Sequence, residues 1–448
     1  MLPMANQINK NVFTWSIIVA LGGFLFGFDT AVISGVEQHI QQLFQLSSFL
    51  HGFTISSALI GTVIGALVSG RPADRYGRKP ILFIIAALYV ITAIGSALAG
   101  NVTSFIIFRF LGGIGVGASS VVAPMYIAEI SPAKIRGRMT AMFQFNVISG
   151  ILIAYVSNYL LREVGAEPWR WMLGVAGIPA SLFLVLLFII PESPRFLIKI
   201  GKADKARTIL EKIEIISVDD EIEDIKSSMS QAAVKKQTLF SKLYIKPISV
   251  AFLVAMFNQF SGINAILYYA PRIFELSGLT NSDSMFQSIL IGVTNGIFTI
   301  LGLILIDRAG RKKLLIIGSL GMSVCLGLVA KTFYTQNFSG YGLLIYLLIY
   351  IMFFAFSTGA VIWVLIAEVF PNSIRGKGQS LGSFTHWFFA ALITFLFPVI
   401  EKLSQFGVGH AFMFFSVMMI IQVIVVWKYF PETKGRTLEE LGENLSNR

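Results

Sequence analysis

Asp29 and Arg109 stand inside long apolar stretches of this 448-residue chain, the first within GGFLFGFDTAVISG at 22–35 and the second within a run at 104–128. A charge at mid-bilayer costs roughly 2.5–3.5 kcal/mol on insertion scales, so an ionisable residue there faces a cavity or a partner. A carboxylate and a guanidinium offset each other's cost. Two roles are open to them. They could form a permanent ion pair that fixes the first helix against the fourth, in which case breaking it strands a charge and costs ~3–5 kcal/mol. Alternatively, Asp29 takes up a proton, its pull on Arg109 ends, and its protonation state is linked to the side on which a cavity opens. A second kind of chemistry lies in QFSGIN, where Gln259 and Asn264 are five apart around a serine and a glycine. Such a stretch breaks or kinks a membrane helix, which would let both amides reach a cavity. Each amide both donates and accepts without carrying charge, though interhelical bonding worth ~0.6–2 kcal/mol is the alternative use.

Other chemistries find no pattern. His39, His51, His386 and His410 are scattered without metal-ligand spacing, and Cys325 is the sole cysteine, so no internal disulfide can form. GGIGVG at 112–117 lies within an apolar span with no strand before it, which favours close helix packing over nucleotide binding. GRPADRYGRK and DRAGRK lack the Gly-Lys-Ser/Thr ending of a phosphate loop. No nucleophile–base constellation appears, so the expectation is a protein that is no enzyme and needs no cofactor.

The elements that must position these groups follow from composition. The chain is 55% hydrophobic and 13% charged, more apolar than a water-soluble core can hide. Its net charge of +11 falls in short runs between hydrophobic segments rather than on one face, which argues for topology and against nucleic acid. Apolar stretches of about 20 residues, enough to cross a bilayer as a helix, lie near 13–36, 53–70, 80–99, 104–128, 138–161 and 171–190. Six more lie near 248–275, 285–306, 314–334, 341–367, 378–400 and 410–430. The first exceeds a signal-peptide h-region of ~7–15 residues and lacks a clear cleavage site, so it reads as an uncleaved span. Period-two alternation is absent, leaving helices as the spanning structure.

With the N-terminus in the cytoplasm, the outer loops hold only Arg162, Arg170, Arg272, Lys331 and Lys402, Arg109 lies within a span, and the other 29 of 35 lysines and arginines face inward. Both termini are then cytoplasmic. The chain divides into a six-helix bundle over 1–190, a polar linker over 191–247, a second bundle over 248–430 and a tail over 431–448. In the linker, ADKARTILEKI and DDEIEDIKSSM have helical spacing and predict short surface helices covering the inner face of the two halves. The halves repeat each other. Asp74 and Arg78 match Asp307 and Arg311 at an offset of 233, Glu129 and Arg136 match Glu368 and Arg375 at 239, and PES at 191 matches PET at 431. Six plus six spans in one orientation imply a pseudo-two-fold axis along the membrane normal, an arrangement used for alternating access about a midplane site.

Over nearly its whole length the chain resembles the sugar porter family of the major facilitator superfamily. The residues that carry the likeness are GRPADRYGRK, DRAGRK, RFLGGIGVG, PESPRFL, QFSGINAILYYAP and PETKGRTLEEL. The resemblance implies the major facilitator fold, an all-α membrane protein of twelve helices, and transport of a hexose, pentose or polyol, with or without a proton. Proton-coupled members carry a carboxylate at the place of Asp29, and uniporters typically lack it, so the resemblance favours a monosaccharide–proton symporter. It also implies sugar contacts at Gln144, Asn258, Gln259, Asn264, Asn295, Trp363 and Trp387, with Phe26 and Tyr269 as weaker candidates. A tryptophan face can cover a sugar's C–H face. Three departures stand out: Asn258-Gln259 where relatives often have two glutamines, Ala360 in place of the usual proline at the hinge of the tenth span, and His386 in place of an amide.

At the basic ends of the spans, Asp74, Arg75, Arg78, Glu129, Arg136, Glu192 and Arg195 in one half and Asp307, Arg308, Arg311, Glu368, Arg375 and Glu432 in the other could pair across helix ends as a cytoplasmic gate. The whole reads as a sugar importer of a bacterial-type inner membrane, working as a monomer in the bilayer, with a uniporter and a non-transporting sugar sensor as its rivals.

Overall fold

The computed structural model describes residues 9–132, 135–213, 217–234, 239–241, 244–338, 340–371 and 374–434, apart from the side chains of 228–234 and of Asp307. Twelve helical units are long and apolar enough to cross a membrane, and no strand occurs among the described residues. With its apolar surface and internally bonded helices, the chain is a multi-pass membrane protein.

In the first half, α1 (Lys10–Val32) continues through a 3-10 turn at Ile33–Gly35 and is followed by the short α2 (Glu37–Leu43). Then come α3 (Ser48–Val68), the short α4 (Gly70–Tyr76), α5 (Arg78–Ala97), α6 (Val102–Ile130) and α7 (Arg136–Leu161). The sixth span is made of α8 (Pro168–Gly174) and α9 (Gly177–Leu186). It stops at Leu186, short of the 190 expected from hydropathy. Residues 187–189 form turns ahead of Pro191, a residue that disfavours helix in the one before it. Three helices follow between the halves, α10 (Pro194–Lys199), α11 (Ala203–Lys212) and α12 (Val218–Val234). The last two are the helices expected from spacing, and α10 was not foreseen.

The second half contains α13 (Ile245–Phe260) and α14 (Ile263–Glu275), which together make one span, then α15 (Asn281–Ala309) and α16 (Arg311–Thr335). A second broken span follows, α17 (Gly342–Phe356) and α18 (Thr358–Glu368), and then α19 (Arg375–Leu403) and α20 (Gly407–Tyr429). The break in the seventh span falls where QFSGIN predicts it. Gly262 has φ +84°, and a Cβ there would lie 2.4 Å from the Phe415 ring, so only glycine fits. The break in the tenth span is at Ser357 (φ −112°, ψ −97°), so Ser-Thr-Gly opens this helix without a proline.

Helix crossings are close where small residues meet. A Cβ on Gly27 of α1 would lie 1.8 Å from the Val147 carbonyl oxygen of α7, and one on Gly113 of α6 would lie 1.8 Å from that of Ala58 on α3. GGIGVG is therefore a packing face in the membrane, as its context suggested.

The two ends of the molecule differ. At the end where α1 begins, the basic loops and α10–α12 gather; this is called the basic end below. Contacts between the halves gather toward the opposite, far end. The Tyr155 hydroxyl donates to the Leu267 carbonyl at 2.8 Å, Phe49 meets Phe395 edge-on at 5.1 Å between centroids, and Tyr159 meets Phe286 at 5.9 Å.

Candidate functional site

The break at Ser261-Gly262 turns the amides of the seventh span toward one another. Asn264 Nδ2 donates to Gln259 Oε1 at 2.9 Å, and Gln259 Nε2 donates to Asn258 Oδ1 at 3.0 Å. Gln259 Nε2 also lies 3.2 Å from the His386 ring nitrogens. The second break contributes directly, because Asn258 Nδ2 donates to the carbonyl of Thr358, the first residue of α18, at 3.4 Å. Around the amides stand aromatic rings. His386 lies 4.9 Å from Trp363 and 4.7 Å from Trp387, the latter edge-on. Trp387 meets Phe26, 5.4 Å away on α1 of the other half. Asn258 and Gln259 are almost wholly buried, whereas Trp363 is 38% exposed.

Seven of the ten sugar-site candidates thus come together: Phe26, Asn258, Gln259, Asn264, Trp363, His386 and Trp387. Asn295 is buried on α15 and accepts a hydrogen bond from Thr299 at 3.4 Å. Gln144 is half-buried on α7. Among the described residues no hydrogen bond joins either to the cluster. Tyr269 lies at a kink in α14 (φ −123°, ψ 20°). Its hydroxyl donates to the Thr394 carbonyl at 2.9 Å and its ring stacks on Phe397 at 5.1 Å. Protein thus occupies it on both counts.

Asp29 and Arg109 meet as expected. Arg109 Nη1 bonds Asp29 Oδ1, and its Nη2 reaches the Asp29 carbonyl at 3.5 Å. Arg109 is 3% exposed and the Asp29 side chain 24%. The carboxylate borders a small cleft with Leu25, Tyr89, Thr92 and Phe108, which lies on the side of α1 facing α5 and α6. The pair and the cluster are joined by α1, since Phe26 is one turn before Asp29 and packs on Trp387.

This arrangement can be compared with known proteins. The family description "Sugar (and other) transporter" matches residues 15–445. This chain belongs to the sugar transporter family. It is 37% identical to the D-xylose-proton symporter of Escherichia coli, covering 98% of this chain and 96% of that protein. It is 36% identical to the arabinose-proton symporter of Bacillus subtilis, covering 95% and 93%. Among solved structures, the inward open conformation of the xylose transporter XylE from E. coli superposes with a TM-score of 0.86 at 37% identity, covering 96% of this chain and 99% of that one. XylE bound to 6-bromo-6-deoxy-D-glucose superposes with a TM-score of 0.82 at 38% identity, covering 98% and 100%. The fold is that of the major facilitator transporters, two six-helix bundles related by a pseudo-two-fold axis, and the family is one of transporters and not of enzymes.

At the basic end of this sugar transporter, the repeated motifs build the same knot twice. In the first half, Arg78 Nη2 reaches Glu129 at 2.8 Å and Asp74 at 3.0 Å, and Nη1 donates to the Ala73 carbonyl at 3.0 Å. Glu192 accepts from the backbone N–H of Arg78 at 3.0 Å and of Lys79 at 3.2 Å, which caps the start of α5. Burial pushes the Glu192 carboxyl above its usual range, against these N–H groups, which pull it down. In the second half, Arg311 reaches Glu368 at 2.8 Å and donates to the Ile306 carbonyl at 3.2 Å. Glu432 caps α16 through the N–H groups of Arg311 at 3.0 Å and Lys312 at 3.1 Å. Ser193 on Glu129 and Thr433 on Glu368 complete the match.

These pairs tie helix ends within one half, because each arginine begins a helix beside the carboxylates of its own repeat. Of the other gate candidates, Arg136 Nε donates to the Ser131 carbonyl at 3.4 Å and Arg75 lies over the Tyr76 ring at 5.3 Å. Arg195 and Arg308 are exposed, and Nε and Nη2 of the half-buried Arg375 have no partner among the described residues. The Asp307 side chain and residues 435–448 of the tail lie outside the described residues.

Sequence reasoning missed a third charged cluster, at the far end. It counted Arg272 as a loop residue and His51 as scattered. Arg272 is in fact within α14 and 8% exposed. Its Nε and Nη2 fork onto Glu401 of α19 at 2.7 and 3.1 Å, and its Nη1 reaches Glu37 at 3.1 Å and Gln41 at 2.8 Å in the first half. The only available signal was four charged or titratable residues near the same ends of different spans, and their spacing in the chain says nothing of their meeting.

Proposed function

We propose that this chain imports a monosaccharide, a hexose or pentose, by symport with a proton. The observation that carries the reading is that Asp29, paired with Arg109 of α6, lies on the same helix that brings Phe26 against Trp387. A proton event at the charge pair and the making or breaking of a half-to-half contact around the amides then share one rigid element. Neutralising Asp29 releases Arg109 and relaxes the α1–α6 pairing, and the tilt of α1 changes what Phe26 offers to the cluster. A sugar supplies hydroxyls that replace the bonds the amides now make to one another, and its C–H face suits Trp363 and Trp387. The relatives named as D-xylose-proton and arabinose-proton symporters support both the substrate class and the coupling.

The basic loops and α10–α12 face the cytoplasm in this reading, in line with the bias of lysine and arginine. Both termini are then cytoplasmic, the membrane is a bacterial-type inner membrane and the working unit is one chain. The far end is external, and the contacts gathered there describe a state closed outward, consistent with the likeness to an inward open structure. The basic-end knots keep each bundle rigid while the bundles rock about the central cluster.

Uptake of labelled hexoses, pentoses and polyols into cells expressing the chain, with and without an uncoupler, tests this. One or more monosaccharides are expected to accumulate, and the uncoupler is expected to reduce uptake to equilibration. Accumulation unaffected by the uncoupler contradicts the coupling, and equilibration in both cases assigns the protein to facilitated transport.

A further inference from the structure

The far-end cluster has an unbalanced charge. Glu401 and Arg272 form a two-point pair and neutralise each other. Glu37, at the start of α2, is 0% exposed and carries a second carboxylate. Its Oε2 is shared between Arg272 at 3.1 Å and His51 Nε2 at 2.7 Å, and His51 is also 0% exposed. Glu37 Oε1 and His51 Nδ1 are buried with no partner among the described residues. The groups facing the pair are Arg272 and Tyr269 from α14, Glu401 from α19 and the neutral Gln41 from α2, with the Tyr269 ring 6.3 Å from that of His51. Tyr269 brings no cation, because its hydroxyl donates to a carbonyl. Two carboxylates and one arginine leave one negative charge in a dry site, and such a charge is too costly to keep unless a proton cancels it.

We propose that Glu37 and His51 form a second proton-binding site, separate from Asp29, and that the far end closes only when it holds a proton. Glu37, Gln41 and His51 belong to one half, Arg272 and Glu401 to the other, so the cluster is a latch between the halves. When the halves part at this end, water reaches the pair, and a proton can leave to the medium on that side. When they close, the proton is trapped between them. It returns to the same side on reopening, so it gates the cycle without adding to the protons carried with sugar. The sidedness proposed above is needed only to call that medium external; the latch itself does not depend on what is transported.

The test uses spin labels on cysteines placed at Gln42 and Gln405, exposed positions at the far end in opposite halves, with Cys325→Ser and with Asp29→Asn to remove the first proton. Distance distributions are measured by pulsed electron resonance from mildly acid to alkaline pH. One bound proton makes the ratio of far-end-open to closed molecules rise by up to about tenfold per pH unit. The short-distance population is expected to give way to a longer one as pH rises, and Glu37→Gln with His51→Gln is expected to remove that dependence, because two amides stay neutral throughout. If the double variant does not fold, Glu37→Gln alone keeps a hydrogen bond to a neutral His51 and is expected to be equally insensitive. A distribution that does not move with pH, or one that moves equally with the pair replaced, overturns the proposal. Neither result bears on sugar uptake, which the uncoupler experiment decides separately.

Discussion

Asp29→Asn is expected to abolish accumulation while leaving exchange of labelled sugar across the membrane intact. The argument is energetic. A driving force of 100 mV supplies ~2.3 kcal/mol per charge, which at one proton per sugar sustains roughly 50-fold accumulation, since 1.4 kcal/mol is a factor of ten. Asparagine holds Arg109 by a hydrogen bond but cannot take up the proton, so the link between the gradient and the cycle is lost and the ratio falls to unity. Exchange needs only the loaded carrier to reorient, and among the described residues no hydrogen bond joins Asp29 to the central amides. In proteoliposomes, counterflow close to wild type together with no gradient-driven uptake is the expected result. Gradient-driven uptake that survives in Asp29→Asn removes Asp29 from the coupling. Loss of both activities, with a lowered melting temperature in detergent, marks the pair as structural.

Gln259→Ala is expected to weaken sugar binding by about 10- to 100-fold. A neutral hydrogen bond contributes a net ~0.5–1.5 kcal/mol, and more is lost when a buried partner is left unsatisfied. Gln259 is the hub of the cluster, bonded to Asn264 and Asn258 and in reach of His386, so its removal unsettles three other polar groups at once. Asn158→Ala is the control. This amide donates to the Val32 carbonyl at 3.1 Å, between α7 and the end of α1, and its loss is expected to lower the melting temperature without changing sugar affinity. Equal affinity in wild type and Gln259→Ala, by equilibrium binding or by the concentration dependence of counterflow, contradicts the assignment.

Much of this architecture is legible in the chain because the bilayer imposes it. Every spanning segment must be long, apolar and helical, so hydropathy alone locates all twelve, and repeated motifs reveal the two halves. The break in the seventh span was readable too, as Ser261-Gly262 lies between two amides and the left-handed conformation of Gly262 is open to few other residues. The break at Ser357 was not readable. It comes from packing: a Cβ on Gly318 of α16 would lie 1.9 Å from Ser357 Oγ, and no local pattern announces that approach. The end at Leu186 had a local signal in Pro191, but hydropathy did not register it because residues 187–190 are as apolar as the helix before them.

The candidate sites divide in the same way. Asp29 and Arg109 could be paired on sequence because a charge inside an apolar span needs a partner and few others were in view. The amides around Gly262 were visible for their proximity in the chain. The far-end cluster was invisible because Glu37, His51, Arg272 and Glu401 come from four elements and look like ordinary span-end charges until the fold brings them together. The basic-end motifs read as paired, but it is the fold that brings Arg78 to Glu129 and Arg311 to Glu368 within each half.

The most direct test of sugar–proton symport is proton movement driven by sugar alone. Proteoliposomes holding the purified chain and a pH-sensitive dye, with no initial pH difference and with potassium and valinomycin to collapse any voltage, receive a pulse of external sugar. The account predicts prompt internal acidification with wild type and none with Asp29→Asn. Sugar entry with wild type and no change of internal pH would contradict it.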